Sequence, residues 1–108
     1  MRSAKVLMRD LWAGTLVESD EGYVFTYLPA YVGANDADAV SLTLPLRVLA
    51  YRSPVLFPFF DGLIPEGWLL TIAEKSWKLD PRDRMGLLLV CCKDCIGAVS
   101  IEPVDDEH

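Results

Sequence analysis

Lys5-Val6-Leu7-Met8-Arg9-Asp10-Leu11-Trp12-Ala13-Gly14-Thr15-Leu16-Val17-Glu18 decides the fold of this chain. Apolar and polar residues alternate on both sides of a short Arg9-Asp10-Leu11 link. A period of two is the signature of a half-buried strand, and two such runs across a polar link read as an antiparallel hairpin. A third strand follows from Tyr23 to Leu28, introduced by the Asp20-Glu21-Gly22 turn signal. Pro29 then interrupts regular pairing, and residues 33–39 read as a polar loop. Leu42-Thr43-Leu44-Pro45 reads as a short extended piece, because the residue before a proline is pushed out of helical geometry.

Beyond that point the pattern changes to helices. Residues 55–60 are almost wholly apolar, which predicts a short buried helix broken near Asp61-Gly62. Pro65 and Glu66 suit the first turn of a second helix, since proline needs no amide partner there and a carboxylate favours the positive end of the helix dipole. Leu69, Ile72, Ala73 and Trp77 then recur at helical spacing. Asp80-Pro81-Arg82-Asp83 reads as the next cap, with Asp80 accepting amide bonds and Asp83 close to the capping-box place, before a helix running through Met85 and Leu87 to about Cys91. Ala98-Val99-Ser100-Ile101 is a final strand able to pair with the opening hairpin. The expected class is therefore α+β: a small antiparallel sheet, hairpin plus C-terminal strand, packed with about three helices from the second half. Residues 1–108 read as one domain with an acidic tail over about 103–108.

Composition narrows the function. The chain has 108 residues, 52% of them hydrophobic, and a mean hydropathy of +0.25. A chain this short cannot hide all of that apolar content in its own core, which points to a protein partner. Sixteen acidic against 10 basic residues give a net charge of −6, and an acidic surface repels the phosphate backbone that supplies most nucleic-acid affinity. The longest apolar run, residues 85–92, is far short of the ~20 residues a spanning helix needs. Arg2, Lys5, Arg9 and Asp10 break up the start too often for a secretory signal, so a cytoplasmic location is expected.

Chemistry finds little foothold. Cys92-Lys93-Asp94-Cys95 has CxxC spacing, yet a closed zinc site needs four ligands and the one histidine is His108. Cys91, Cys92 and Cys95 are read as structural thiols, the redox reading requiring a helix to open at the motif. Without a placed histidine no Ser-His-Asp or Cys-His pair can be assembled. Neither GxGxxG nor GxxxxGK[ST] occurs. Asp61 and Glu66 are read as backbone caps in preference to an acid-base pair. No catalytic residue, metal or cofactor is assigned, and the chain is read as a non-enzyme.

Phe59-Phe60-Asp61-Gly62-Leu63-Ile64-Pro65-Glu66-Gly67-Trp68 has the character of a contact site, because Gly and Pro fix the points at which the aromatics are presented. Together with Ser41-Leu42-Thr43-Leu44-Pro45 before it and Lys93-Asp94-Cys95-Ile96-Gly97-Ala98-Val99 after it, this stretch resembles the ordered signature of the N-terminal subdomain 1 of HipA-type toxin kinases. The opening hairpin with Gly14 resembles the first two strands of that family. Three pieces in family order over nearly the whole chain are more specific than any one of them.

Because the kinase core of such proteins is not contained in these residues, the chain is similar to the HipS-type small components of tripartite HipBST toxin-antitoxin systems. That resemblance implies an antitoxin that neutralises a HipT-like Ser/Thr kinase toxin, in a ternary complex with a HipB-like helix-turn-helix protein. A kinase of that type acts on tryptophanyl-tRNA synthetase, a target that belongs to the partner. The alternative is a structural bridge between kinase and HipB that supports assembly and transcriptional autoregulation.

The expected partner-binding residues are Phe59, Asp61, Leu63, Ile64, Pro65, Glu66, Gly67 and Trp68, inserted near the ATP-binding region of the kinase with Trp68 as the anchor. Trp68 stands where the family commonly has a polar residue; the alternative is that it packs internally on a face formed by Ile72 and the hairpin. At least two of Phe59, Phe60, Leu63 and Ile64 are expected in the core, as are Trp12 and Trp77, and the Ser41-to-Pro45 motif is expected to fix a turn.

Overall fold

The alternating N-terminal stretch forms two long strands, β1 (Ser3–Met8) and β2 (Leu11–Ser19), joined by the two residues Arg9 and Asp10. Both linker residues have positive φ, 51° and 69°, the twist that lets a two-residue connection join antiparallel strands. Leu11 already belongs to β2 and pairs with Met8, so the link is one residue shorter than the sequence suggests. In the computed structural model the described residues are 2–34, 37–64, 83–91 and 98–104.

The remaining described elements are β3 (Gly22–Tyr27), α1 (Pro29–Val32), β4 (Tyr51–Ser53), α2 (Pro58–Asp61), α3 (Arg84–Cys91) and β5 (Val99–Pro103). The strands make one antiparallel sheet in the order β4-β3-β2-β1-β5. The final strand pairs with the opening hairpin as expected, Val6 standing opposite Ile101. Pairing extends to Pro103 opposite Ala4, and the Val104 amide donates to the Ser3 carbonyl at 3.0 Å. Two elements were not legible beforehand. β4 adds an edge strand to β3, and α1 starts at the very proline expected only to end pairing, because Pro29 occupies the first helical position, where no amide partner is needed.

One face of the sheet is the core. Ala4, Leu16 and Phe25 lie in one row across three strands, and Ile101, Val6, Gly14 and Tyr27 in the next, all buried. Phe60 of α2 and Met85, Leu87 and Leu88 of α3 cover them, giving a two-layer α+β packing. The rings interlock edge to face: Phe25 lies 4.8 Å from Tyr27 and 5.3 Å from Phe60.

The register of β1 and β2 slips once. Val6 pairs with Gly14 but Leu7 pairs with Trp12, leaving Ala13 as an extra residue. Such a bulge breaks the two-residue alternation. Strict alternation would put Trp12 on the buried face with Gly14 and Leu16; the bulge turns it to the other face, where it is 44% exposed and Lys5 Nζ sits 4.6 Å from its ring centre. The core expectation for Trp12 is thus overturned. Trp77 lies outside the described residues, as do the helix read from Pro65 to Trp77 and the cap residues Asp80 and Pro81.

α3 begins at Arg84, with Asp83 as its cap: the carboxylate accepts the Gly86 amide at 3.1 Å and the carbonyl accepts the Leu87 amide at 3.0 Å. Leu42-Thr43-Leu44 is a turn and not an extended piece, closed by the Leu44 amide on the Ser41 carbonyl at 3.1 Å. The turn expected of the Ser41-to-Pro45 motif is what forms.

Candidate partner-binding surface

Phe57 and Pro58 set the entry to α2. Phe57 is extended, with φ −55° and ψ 135°, and Pro58 follows at the first helical position. Gly62 ends the helix, and turns with Leu63 N–H on Phe60 O (3.0 Å) and Ile64 N–H on Asp61 O (3.2 Å) carry the chain onward. The amides of Asp61, Gly62, Leu63 and Ile64 thus all donate to carbonyls of the same segment.

This winding sorts the side chains. Phe60 and Ile64 are buried, four apart, as residues on one helical face should be. Phe60 meets Phe25, Phe57 and Phe59 at ring separations of 5.3, 6.1 and 5.2 Å. Phe59 and Leu63, again four apart, are half-buried and rest against the core from its rim. Two of the four apolar residues thus belong to the core, as expected, and two retain surface that a partner can touch.

Among the described residues the Asp61 carboxylate accepts no backbone amide, the role read for it from sequence. Its Oδ1 accepts a hydrogen bond from Arg84 Nε at 2.6 Å, which ties the end of α2 to the start of α3. The reason is tertiary: the two helices meet on the same face of the sheet. Pro65, Glu66, Gly67 and Trp68 lie outside the described residues, as do Ile72, Cys92, Cys95 and His108.

Behind Asp61 and Arg84 stands a second ion-pair group that sequence reasoning missed. Arg2 donates through Nε and Nη2 to Glu18 of β2 at 2.7 and 2.9 Å, and through Nη1 and Nη2 to Asp83 at 2.9 and 2.7 Å. These bonds to Asp83 and Glu18 raise the pKa of the guanidinium above its ordinary value. The Asp83 carboxyl is held below its ordinary value, chiefly by the hydrogen bonds from Arg2 and with help from the Gly86 amide, against the opposing effect of burial. The capping position of Asp83 was the only part of this group visible as a local pattern. Glu18 and Arg2 are brought to it by the hairpin.

A third feature surrounds the long connection between α1 and β4. The buried hydroxyl of Tyr27 accepts the Val40 amide at 2.9 Å and donates to the Leu44 carbonyl. Tyr31 donates to Asp38 O at 2.7 Å, and Tyr51 donates to Pro45 O at 2.7 Å. Burial raises the pKa of Tyr27, so it stays a neutral donor. Held this way, the connection leaves Leu42, Val48 and Leu49 in solvent at 98%, 66% and 71% exposure.

Among the described residues no group of three His, Cys, Asp or Glu side chains can hold a metal ion, and no helix is long and apolar enough to cross a membrane.

Comparison with known proteins places the whole chain. The model of the family described as HipA N-terminal domain matches residues 4–102. An "Uncharacterized protein" of Haemophilus influenzae (strain ATCC 51907 / DSM 11121 / KW20 / Rd) is 34% identical over 102 residues, which is 94% of this chain and 92% of that relative. Among solved structures, the N-terminal domain of HipA toxin superposes with a TM-score of 0.73 at 28% identity, over 99% of this chain and 96% of that one.

Proposed function

The chain belongs to the HipA N-terminal domain family, and from that membership we propose that it is a HipS-like antitoxin, binding and neutralising a HipA-like (HipT) Ser/Thr toxin kinase in the cytoplasm. Catalysis belongs to the kinase. This chain supplies a protein surface that docks near the kinase active site, in a complex completed by a HipB-like helix-turn-helix protein.

The observation that carries this reading is the likeness to the N-terminal domain of HipA toxin over nearly the whole of both chains. A domain of that shape, supplied as a separate partner, has a ready seat on a kinase of the same family. The geometry of α2 supports the choice of surface. Phe60 and Ile64 fix the segment to the core, the Asp61–Arg84 pair fixes its end, and Phe59 and Leu63 keep apolar surface at the rim. Pro65, Glu66, Gly67 and Trp68 complete the proposed contact, with Trp68 as its anchor; tryptophan is among the residues most enriched at binding hot spots.

Co-expression with the kinase tests the reading. Rescue of growth by this chain alone supports the antitoxin, and rescue only when the HipB-like protein is also present supports the bridging role. No rescue in either arrangement refutes both. Trp68→Ala should weaken kinase binding by about 2 to 4 kcal/mol with an unchanged melting temperature. A normally folded Trp68→Ala variant that still rescues at wild-type level removes Trp68 as the anchor.

A further inference from the structure

Asp61 is the last residue of α2, and its carboxylate meets Arg84, the first residue of α3, at 2.6 Å. The charge of Arg84 does nothing for its own helix. Asp83 already caps α3, and a cation in the first turn works against the helix dipole. On the other side, α2 is a single turn without a side-chain cap, too short to keep its shape alone.

Arg84 stands on a fixed base. The Asp83 carboxylate beside it is held by Nη1 and Nη2 of Arg2, which also forks onto Glu18 of β2. The base is closely packed: a Cβ at Gly86 would overlap the Asp83 carboxylate and lie 3.1 Å from Arg2 Nη1. Charges therefore alternate in one series from the sheet to the end of α2, through Glu18, Arg2, Asp83, Arg84 and Asp61. Their side chains are 26 to 41% exposed, and a pair as open as Asp61 and Arg84 adds little to stability. What the pair fixes is a geometry.

That geometry belongs to the proposed contact segment. Directly after α2 the Leu63 amide donates to the Phe60 carbonyl and the Ile64 amide to the Asp61 carbonyl. The residue gripped by Arg84 thus also closes the turn on which half-buried Leu63 stands. We infer that Arg84 is a positioning residue for partner binding: it holds Asp61, and Asp61 serves the partner by setting the turn of Leu63 and Ile64 without touching the partner itself. The inference rests on the function proposed above, which makes that partner the kinase, and it replaces the contact role expected of Asp61 from sequence. A segment set before docking loses less freedom on binding, so its apolar contacts convert more fully into affinity. A charge that met the kinase directly at the rim would act instead on association rate and salt dependence.

Calorimetry and association kinetics with the purified kinase, together with hydrogen exchange on the free chain, test this. Asp61→Asn and Arg84→Gln should each weaken binding about 10-fold, and the double variant should bind no more weakly than Arg84→Gln alone. Arg84→Lys, which keeps the charge, should recover most of the loss. Both single variants should speed exchange at the Leu63 and Ile64 amides, leave the sheet amides and the melting temperature near wild type, and keep the salt dependence of association. If Arg84→Gln fails to fold, Asp61→Asn decides alone, by its exchange and its salt dependence. A further loss of about 10-fold when Asp61→Asn is added to Arg84→Gln makes Asp61 a contact and overturns the inference. So does unchanged exchange with a flattened salt dependence in Asp61→Asn, and so does wild-type affinity in Arg84→Gln. Each of these leaves the proposed function standing, because the unmodified chain still binds. Failure of the unmodified chain to bind the kinase overturns both.

Discussion

Arg2 and Asp83 stand 81 positions apart in sequence and meet in a two-bonded fork, Nη1 to Oδ2 at 2.9 Å and Nη2 to Oδ1 at 2.7 Å. The same carboxylate caps α3, and the same guanidinium forks onto Glu18 of β2. One arginine therefore clamps the first turn of a helix to the sheet, and Arg84 in that turn holds Asp61 at the end of α2.

Removing either half of the fork should loosen α3 from the sheet. Asp83→Ala loses the cap and the ion pair together and is expected to cost about 1 to 3 kcal/mol in urea unfolding; Arg2→Gln should cost about 1 kcal/mol, solvent access to both side chains keeping the value small. An Asp83→Ala variant as stable as wild type would show that the clamp contributes nothing.

The clamp has an acid limit. Asp83 titrates below its ordinary 3.8 in the folded chain, so its stabilisation is complete above that value and is lost as pH falls through the depressed one. The stability difference between wild type and Arg2→Gln should be constant from about pH 5 to 8 and shrink below about pH 4. Unfolding curves at a series of pH values measure it. A difference that persists undiminished to the lowest pH would remove Asp83 as the partner.

Tyr27 makes the connection between α1 and β4 a structure instead of a tether. Tyr27→Phe leaves the Val40 amide and the Leu44 carbonyl without their partner, at an expected cost of about 2 kcal/mol. Hydrogen exchange at the Val40 amide should accelerate with it, ahead of the sheet amides. Unchanged exchange there would show the loop to be held by other contacts.

Gly14 is required by a neighbour and not by its own backbone angle. A Cβ at this position would stand 2.6 Å from the Thr26 carbonyl oxygen and 2.9 Å from the Phe25 ring. Gly14→Ala should destabilise by about 1 to 3 kcal/mol, because the sheet backbone cannot give way as a side-chain tip would. Gly33→Ala is the control, its Cβ meeting only Pro29 O at 3.5 Å. Equal melting temperatures for the two variants would refute the steric argument.

Much of the fold was readable because its signals are local. The hairpin shows as alternation over residues 5–18, the last strand as a short apolar run behind Gly97, and α2 as an apolar stretch ended by Asp61-Gly62. β4 was not readable: three residues, Tyr51-Arg52-Ser53, are too few to show a period, and pairing with β3 is what makes them a strand. Trp12 was misread for a related reason, since the Ala13 bulge that reverses its direction exists only in the register between two strands.

For the candidate site, the sequence by itself determined which stretch carries the family signature and that at least two of Phe59, Phe60, Leu63 and Ile64 would be core, because so apolar a run must bury part of itself. Only the tertiary structure decided what Asp61 does. A carboxylate at a helix end is read as a cap from sequence, and here it became the partner of Arg84 because two short helices converge on one sheet face. The same holds for Arg2, Glu18 and Asp83, whose charges are plain in the sequence but whose pairing depends on chain segments that meet only after the sheet has formed. Hydrophobic periodicity is a property of neighbours along the chain; ion pairs and bulges are properties of neighbours in space.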